Sequence, residues 1–123
     1  MVPAQTTGFE VVVPFSSMRE TATALEWATG LARELGGRIT ILAPQVVPYP
    51  LPLNRPPVSL DWLRNRFATL AGNQSLETRV VIGLCRDPDQ FLEHALQPDS
   101  TLVMRRSRLA RRLSALGHNV ILV

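Results

Sequence analysis

The sequence LVMRRSRLARRLSALGHNVILV, residues 102–123, decides the fold, because it contains a complete strand, helix and strand. The apolar run 102–104 is typical of a short buried strand. The leucines of segment 109–116 recur at the spacing of one helix face, and a Gly-His turn at 117–118 ends that helix. The apolar run 120–123 predicts a second strand. A strand, a crossover helix and a further strand in this order form one unit of a parallel sheet.

The preceding sequence repeats this alternation of strands and helices. The β-branched run Glu10–Phe15 has the composition of a strand that is buried on both faces. Further strands are predicted over Ile39–Ala43, Thr78–Leu84 and Ser100–Met104. The helices between them are predicted to begin at residues whose side-chain oxygens can cap a helix, namely Ser17, Ser59 and Asp87.

The first helix has clear start and stop signals. Ser17, with Glu20 three residues later, predicts a capping box, and Gly36-Gly37 predicts a left-handed cap at the other end. Its apolar face is predicted to contain Leu25, Ala28, Ala32 and Leu35, widened by Trp27 and Leu31. The aromatic residues Trp27, Tyr49 and Trp62 are assigned only core or loop-packing roles.

This alternation predicts a single α/β domain over residues 1–123, a three-layer αβα arrangement with a five-stranded parallel sheet. Segment 44–57 contains six of the ten prolines and is interpreted as a stiff loop without regular structure. Its prolines are never three residues apart, which argues against a docking motif for proline-binding domains.

Composition indicates a soluble, cytoplasmic globular protein. Hydrophobic residues make up 46% of the chain and charged residues 19%, with no apolar run long enough to span a membrane. The net charge of +3 comes from one end, since residues 1–104 carry eight arginines against ten acids. This uneven charge argues against nucleic-acid binding over a broad face. The single cysteine, Cys85, allows no internal disulfide and favours a reducing compartment.

The order of these features resembles the universal stress protein family over residues 9–123. The segments that carry the resemblance are Val11-Val12-Val13-Pro14-Phe15-Ser16-Ser17, Ala28–Ala43, Gly83–Leu96 with its Asp87-Pro88, and Asn119–Val123. The resemblance implies the strand order 3-2-1-4-5, a homodimer, and a small regulatory or binding protein without catalytic activity.

Two departures from the family pattern concern its nucleotide site. Nucleotide-binding members carry an aspartate two residues past the proline of the first strand, where this chain has Ser16. They also carry Gly-x-x-Gly, a spacer and Gly-Ser/Thr after the fourth strand, whereas no glycine lies between Met104 and Leu116 here. Glycine is what allows backbone amides to wrap phosphates closely. The resemblance therefore implies a degenerate site that binds neither ATP nor another cofactor.

Any ligand is predicted to bind where the first and fourth strands end, at the topological switch point of such a sheet. The residues predicted to line that site are Pro14, Phe15, Ser16, Met104, Arg105, Arg106, Ser107 and Arg108. The three arginines precede or begin the last helix, whose N-terminus favours anions. Two interpretations stay open: the arginines bind a small anion in place of the glycine loop, or they are solvated surface residues. A third possibility is an interaction module that acts through its dimer surface or through its proline-rich segment.

No catalytic or metal-binding set is recognisable. Asp87 and Asp89 occupy positions at which a helix start favours acids. His94 and His118 lack partners at the spacing of metal ligands or of a nucleophile. Cys85 precedes an arginine and a helix start, features that lower a thiol pKa, so a redox role stands beside the simpler one of a packed cysteine.

The last strand is predicted to form the dimer interface. Val120, Ile121, Leu122 and Val123 are apolar and contain no residue that would protect a sheet edge from pairing. Two copies related by a twofold axis can pair there antiparallel. Proline at position 121 is accordingly expected to yield a monomer.

Overall fold

The computed structural model describes residues 10–54, 59–72, 78–98 and 100–123. Within these ranges the strands are β1 (Glu10–Pro14), β2 (Arg38–Val46), β3 (Thr78–Cys85), β4 (Thr101–Met104) and β5 (Asn119–Leu122). The helices are α1 (Met18–Leu35), α2 (Leu60–Gly72), α3 (Pro88–Ala95) and α4 (Arg108–Ala115). No helix of the described ranges combines the length and the hydropathy needed to cross a membrane.

The strands form one parallel sheet in the order β3-β2-β1-β4-β5. β1 is the central strand, with Val11 opposite Ile39 of β2 and opposite Thr101 of β4. The predicted α/β class, parallel pairing and strand order are therefore confirmed. Val11 and Val12 contribute to opposite core clusters, as strand alternation requires, so β1 is buried on both faces.

The two faces of the sheet are covered by helices of unequal length. One core cluster includes residues of α1 and α2, and the other includes residues of α3 and α4. α1 and α2 have 18 and 13 residues, whereas α3 and α4 have eight each. On the less covered face, α3 is placed by close packing of Phe91 on Gly83, where a Cβ atom would overlap the aromatic ring.

β2 corrects the prediction that the proline-rich segment has no regular structure from its first residue. The strand continues through Pro44 to Val46 and pairs with Gly83–Cys85 of β3. The Phe15 N–H donates to the Leu42 carbonyl, so alternation directs the nitrogen of Pro44 toward the same neighbour, beyond the end of β1. A proline is tolerated there because no ladder hydrogen bond is lost. Residues 55–57 of the predicted loop lie outside the described residues.

The ends of α1 agree with their sequence signals in part. The Ser17 hydroxyl accepts a hydrogen bond from the Glu20 N–H, and Gly36 adopts the left-handed conformation with φ of 68°. The predicted apolar face is too wide, since Trp27 and Leu35 are exposed. Tyr49 and Trp62 are exposed as well, so of the two roles predicted for them, core or loop packing, the core role is wrong. Tyr49 lies outside the helices and strands, and its ring packs against Arg86. The helical spacing of apolar residues in α1 predicts which side of the helix is apolar, but not how much of that side the sheet covers.

β5 is an edge of the described sheet, paired only with β4. The N–H groups of Asn119 and Val123 donate to Ser100 and Met104 on the β4 side. Strand alternation therefore directs the Ile121 N–H to β4 as well, and directs that of Leu122 outward. Proline at position 121 would break the sheet itself, so the substitution expected to yield a monomer belongs at position 122.

Candidate functional site

The carboxyl ends of β1 and β4 enclose a cavity of about 300 Å³. These two strands are neighbours at the centre of the sheet, and the chain leaves them for α1 and α4, on opposite faces. The lining residues are Pro14, Phe15, Ser16, Glu20, Thr21, Ala24, Met104, Arg105, Arg106, Ser107 and Leu109. Of the residues predicted for a ligand site, the structure brings all but Arg108 to this cavity.

The loop after β1 is held by hydrogen bonds to the first turn of α1. The Ser16 N–H donates to Thr21 Oγ1 at 3.2 Å, and Ser16 Oγ donates to Glu20 Oε1 at 3.0 Å. Because Thr21 is buried, the backbone at Ser16 is anchored to the core. The Ser16 hydroxyl is thereby directed toward a carboxylate one helical turn away.

Glu20 joins the two sides of the cavity. Its Oε2 accepts a hydrogen bond from Arg105 Nη1, and the same contact is an ion pair. The capping box predicted for Glu20 is therefore only half formed: its N–H bonds to Ser17, while its carboxylate binds Ser16 and Arg105. The side chain of Glu20 is 33% exposed and that of Arg105 is 66% exposed, so the pair lies at the rim of the cavity.

Glu20 is the functional candidate that sequence reasoning missed. It was assigned to a helix cap, although it lies four residues after Ser16, a spacing that brings side chains together on one helix turn. Arg105 is 85 residues away along the chain, and nothing in the sequence couples these two positions.

Apolar side chains pack beside the cavity, and the Ser107 hydroxyl caps α4 at its other side. The rings of Phe15 and Phe67 meet edge to face at 4.8 Å between centroids, and Met104 is buried at the end of β4. Ser107 Oγ accepts a hydrogen bond from the Ala110 N–H at 3.1 Å and caps α4. Arg106 and Arg108 are exposed, and of these two only Arg106 lines the cavity.

A second cavity, of about 620 Å³, lies on the other side of the Glu20–Arg105 pair. Its lining consists of Ser17, Arg19, Glu20, Thr23, Arg105 and Val123. Glu20 and Arg105 line both cavities, so the ion pair is their common wall.

Asp87 and Glu93, two acidic residues away from the cavity, have structural partners. Asp87 Oδ1 accepts hydrogen bonds from the N–H groups of Asp89 and Gln90 and caps α3, as predicted. Glu93, beside the exposed His94, forms an ion pair with Arg112 of α4. Among the described residues, no group of three His, Cys, Asp or Glu side chains could hold a metal ion.

Cys85 is buried at the end of β3, and its surroundings differ from the prediction of a lowered thiol pKa. Burial, and then the nearby Asp87 carboxylate, raise the pKa of the Cys85 thiol. Arg86 does not activate the thiol, because its guanidinium donates to the Val47 carbonyl and stacks on Tyr49. A thiol with a raised pKa is a poor nucleophile, which favours the packed role over the redox role.

Comparison with known proteins identifies the architecture. The sequence matches no family model and no curated protein. A crystal structure of a universal stress family protein from Burkholderia pseudomallei superposes with a TM-score of 0.67, at 16% identity over 98% of each chain. A universal stress protein from Archaeoglobus fulgidus gives 0.61, at 13% identity over 93% of this chain and 92% of that one.

A universal stress protein from Lactobacillus plantarum also superposes, with a TM-score of 0.52 at 14% identity over 94% of this chain and 98% of that one. At such identities the likeness concerns the fold, and it extends over nearly the whole of each compared chain. The parallel strand order and the end-to-end superpositions together show that the chain has the universal stress protein fold.

Proposed function

We propose that this protein is a non-catalytic binding or regulatory protein of the universal stress type, and that it does not bind ATP. The observation that carries the proposal is the Glu20 carboxylate, which lies at the rim of the cavity and is held by Ser16 and Arg105. A triphosphate entering this cavity would meet that negative charge. The volume of about 300 Å³ is at the lower end of the range for ligand pockets.

The loop after β4 supports the same proposal. Residues 105–108 contain no glycine, and Ser107 already bonds to a backbone N–H of α4. Bulky residues at these positions cannot take up the dihedral angles of a phosphate-wrapping loop. At the cavity the Ser16 hydroxyl donates to the Glu20 carboxylate, but that carboxylate also binds Arg105. No histidine or cysteine is among the described residues that line the cavity, which supports the proposal of a non-catalytic protein.

Isothermal titration with ATP is expected to give no saturable heat, because the cavity presents a carboxylate where phosphates would have to bind. An ATP hydrolysis assay is expected to release no more phosphate than a blank without protein. Sub-micromolar ATP binding would contradict the proposal, and turnover above the blank would contradict its non-catalytic part.

The second candidate function is binding of a small anion, and the contacts of Glu20 favour it. Ser16 and Arg105 already hold a carboxylate, with Arg106 nearby on the same cavity. Glu20 is therefore an internal stand-in for the carboxylate or phosphate group of a ligand. An external anion has to displace this carboxylate before it can use the same donors.

The variant Glu20→Gln tests this competition. Loss of the rim ion pair itself should change the free energy of unfolding by only about 0–1 kcal/mol, because both partners are partly exposed. Phosphate or sulfate should then raise the melting temperature of the variant more than that of the parent. A ligand whose free concentration is 100 times its dissociation constant adds about 2.7 kcal/mol to the free energy of unfolding.

Two further variants control for general charge effects. Glu20→Gln combined with Arg105→Gln should lose the response to phosphate, because the Arg105 guanidinium that the first change frees from Glu20 is removed by the second. Glu20→Gln combined with Arg108→Gln should keep it, since Arg108 does not line the cavity. Equal responses of both double variants would exclude the anion site.

The proposal includes a homodimer and a reducing, cytoplasmic setting. The exposed apolar residues Ile121 and Leu122 of β5 support the homodimer. The single cysteine of the sequence, which has no partner for an internal disulfide, supports the reducing setting.

A further inference from the structure

Three large aromatic side chains of the described residues are exposed, and two of them are stacked by an arginine. The Arg86 guanidinium carbon lies 4.0 Å from the ring centroid of Tyr49, and that of Arg66 lies 5.3 Å from the ring of Trp62. The third, Trp27 on α1, is 64% exposed, and no arginine of the described ranges stacks on it. Arginine side chains therefore lie over the rings of Tyr49 and Trp62, whereas the ring of Trp27 has no such neighbour among the described residues.

Trp27 lines a shallow, open surface cavity of about 510 Å³ on α1, together with Glu26, Gly30, Leu31 and Glu34. The rise of an α-helix separates Glu26 from Glu34 by about 12 Å, with Gly30 midway between them. Neither glutamate forms an ion pair within the described part of the chain. The cavity therefore combines an open aromatic ring with two uncompensated carboxylates.

Gly30 is not required by the packing of this protein. A Cβ atom added there would meet nothing within 4 Å, and its φ lies outside the left-handed region. Glycine in the interior of a helix weakens that helix relative to alanine. The missing side chain leaves a notch between the two glutamates, which a side chain from outside can enter.

We propose that these five residues, the α1 notch, bind an arginine side chain presented by a partner protein. The guanidinium lies over the Trp27 ring and pairs with Glu26 or Glu34, which are about 12 Å apart along the helix axis, and its alkyl part packs on Leu31. Charge complementarity favours a basic occupant, and the planar guanidinium, which stacks on aromatic rings and bonds carboxylates through several donors, favours arginine over lysine. This proposal does not depend on the function of the cavity between β1 and β4.

A fluorescence titration tests the notch directly. The parent for the experiment is Trp62→Phe, because the chain has two tryptophans and this change leaves Trp27 as the only one. The probe is the peptide acetyl-Ala-Leu-Arg-Leu-Ala-amide, and the control replaces its arginine by citrulline, which has the same shape without the charge. The arginine peptide should produce a saturable change, with an affinity at least tenfold higher than that of the citrulline peptide.

Variants of the parent separate binding from folding. Glu26→Gln with Glu34→Gln should weaken the arginine peptide at least tenfold, while Asp89→Asn, on the other face of the sheet, should leave it unchanged. Gly30→Ala should raise the melting temperature and still lower the affinity, because the new methyl group fills the notch.

Three results would overturn the proposal. The first is the absence of saturation in the parent, and the second is equal binding of both peptides. The third is full affinity in Gly30→Ala. The alternative partner is a second copy of this chain, and sedimentation of the parent and of the double glutamine variant tests it. A difference in self-association between the two would assign the α1 notch to a second copy instead.

Discussion

The proposed homodimer through β5 predicts that the variant Leu122→Pro is monomeric at concentrations at which the parent chain is expected to sediment as a dimer. β5 is the edge of the described sheet beside β4, and the outward N–H of Leu122 is one of the few donors it offers to another chain. Proline removes that donor and leaves the hydrogen bonds from Asn119 and Val123 to the β4 side in place. Edge pairing between two copies has four residues per strand at most, so the loss of one donor on each copy should be decisive.

Two controls separate the hydrogen bond from the side chain. Leu122→Ala keeps the outward N–H and removes only apolar area, so it should weaken the dimer without abolishing it. Ile121→Pro should instead lower the melting temperature, because the N–H lost there is directed toward β4. A parent that stays monomeric at high concentration would rule out the dimer, and a dimeric Leu122→Pro would place the interface elsewhere.

Gly83→Ala is expected to lower the free energy of unfolding by roughly 1–3 kcal/mol, the usual range for overpacking a core. The added methyl group would overlap the Phe91 ring, so α3 must move away from the sheet or the ring must leave its place. Denaturant titration of parent and variant measures the difference.

Gly30→Ala is the matched control, since the same chemical change meets no neighbouring atom. It should raise the free energy of unfolding by roughly 0.5–1 kcal/mol, because alanine is the better helix former. Gly83→Ala combined with Phe91→Ala should lose less than the two single changes together, because the small side chain removes the overlap. Additive losses would show that the ring is not the obstacle.

The sequence was sufficient to predict the helices and strands and their order along the chain. Buried strands such as β1 are short β-branched runs, and the helix starts at Ser17 and Asp87 are set by local hydrogen bonds between neighbouring residues. Signals of this kind act over a few residues, so they can be read without knowing the rest of the structure. The 3-2-1-4-5 order came from the resemblance and not from any local pattern.

The parts that escaped prediction depend on distant neighbours. Pro44 can continue β2 only because β1 has already ended beside it. The carboxylate of Glu20 leaves its expected cap for Arg105, a residue from the other half of the chain. Trp27 belongs to an apolar pattern, but its exposure is decided by which neighbouring elements cover that side of α1. None of these relations has a sequence spacing by which it could be recognised.

The link between Glu20 and Arg105 also ties the cavity to the order in which the protein folds. The contact joins residues that are 85 positions apart in the chain, and it requires that β4 has joined β1. A nascent chain that has formed only β1, β2 and β3 contains Ser16 and Glu20 but no cavity. An anion that binds between β1 and β4 can therefore bind only the completed sheet, so its affinity reports global folding and not the state of a local segment.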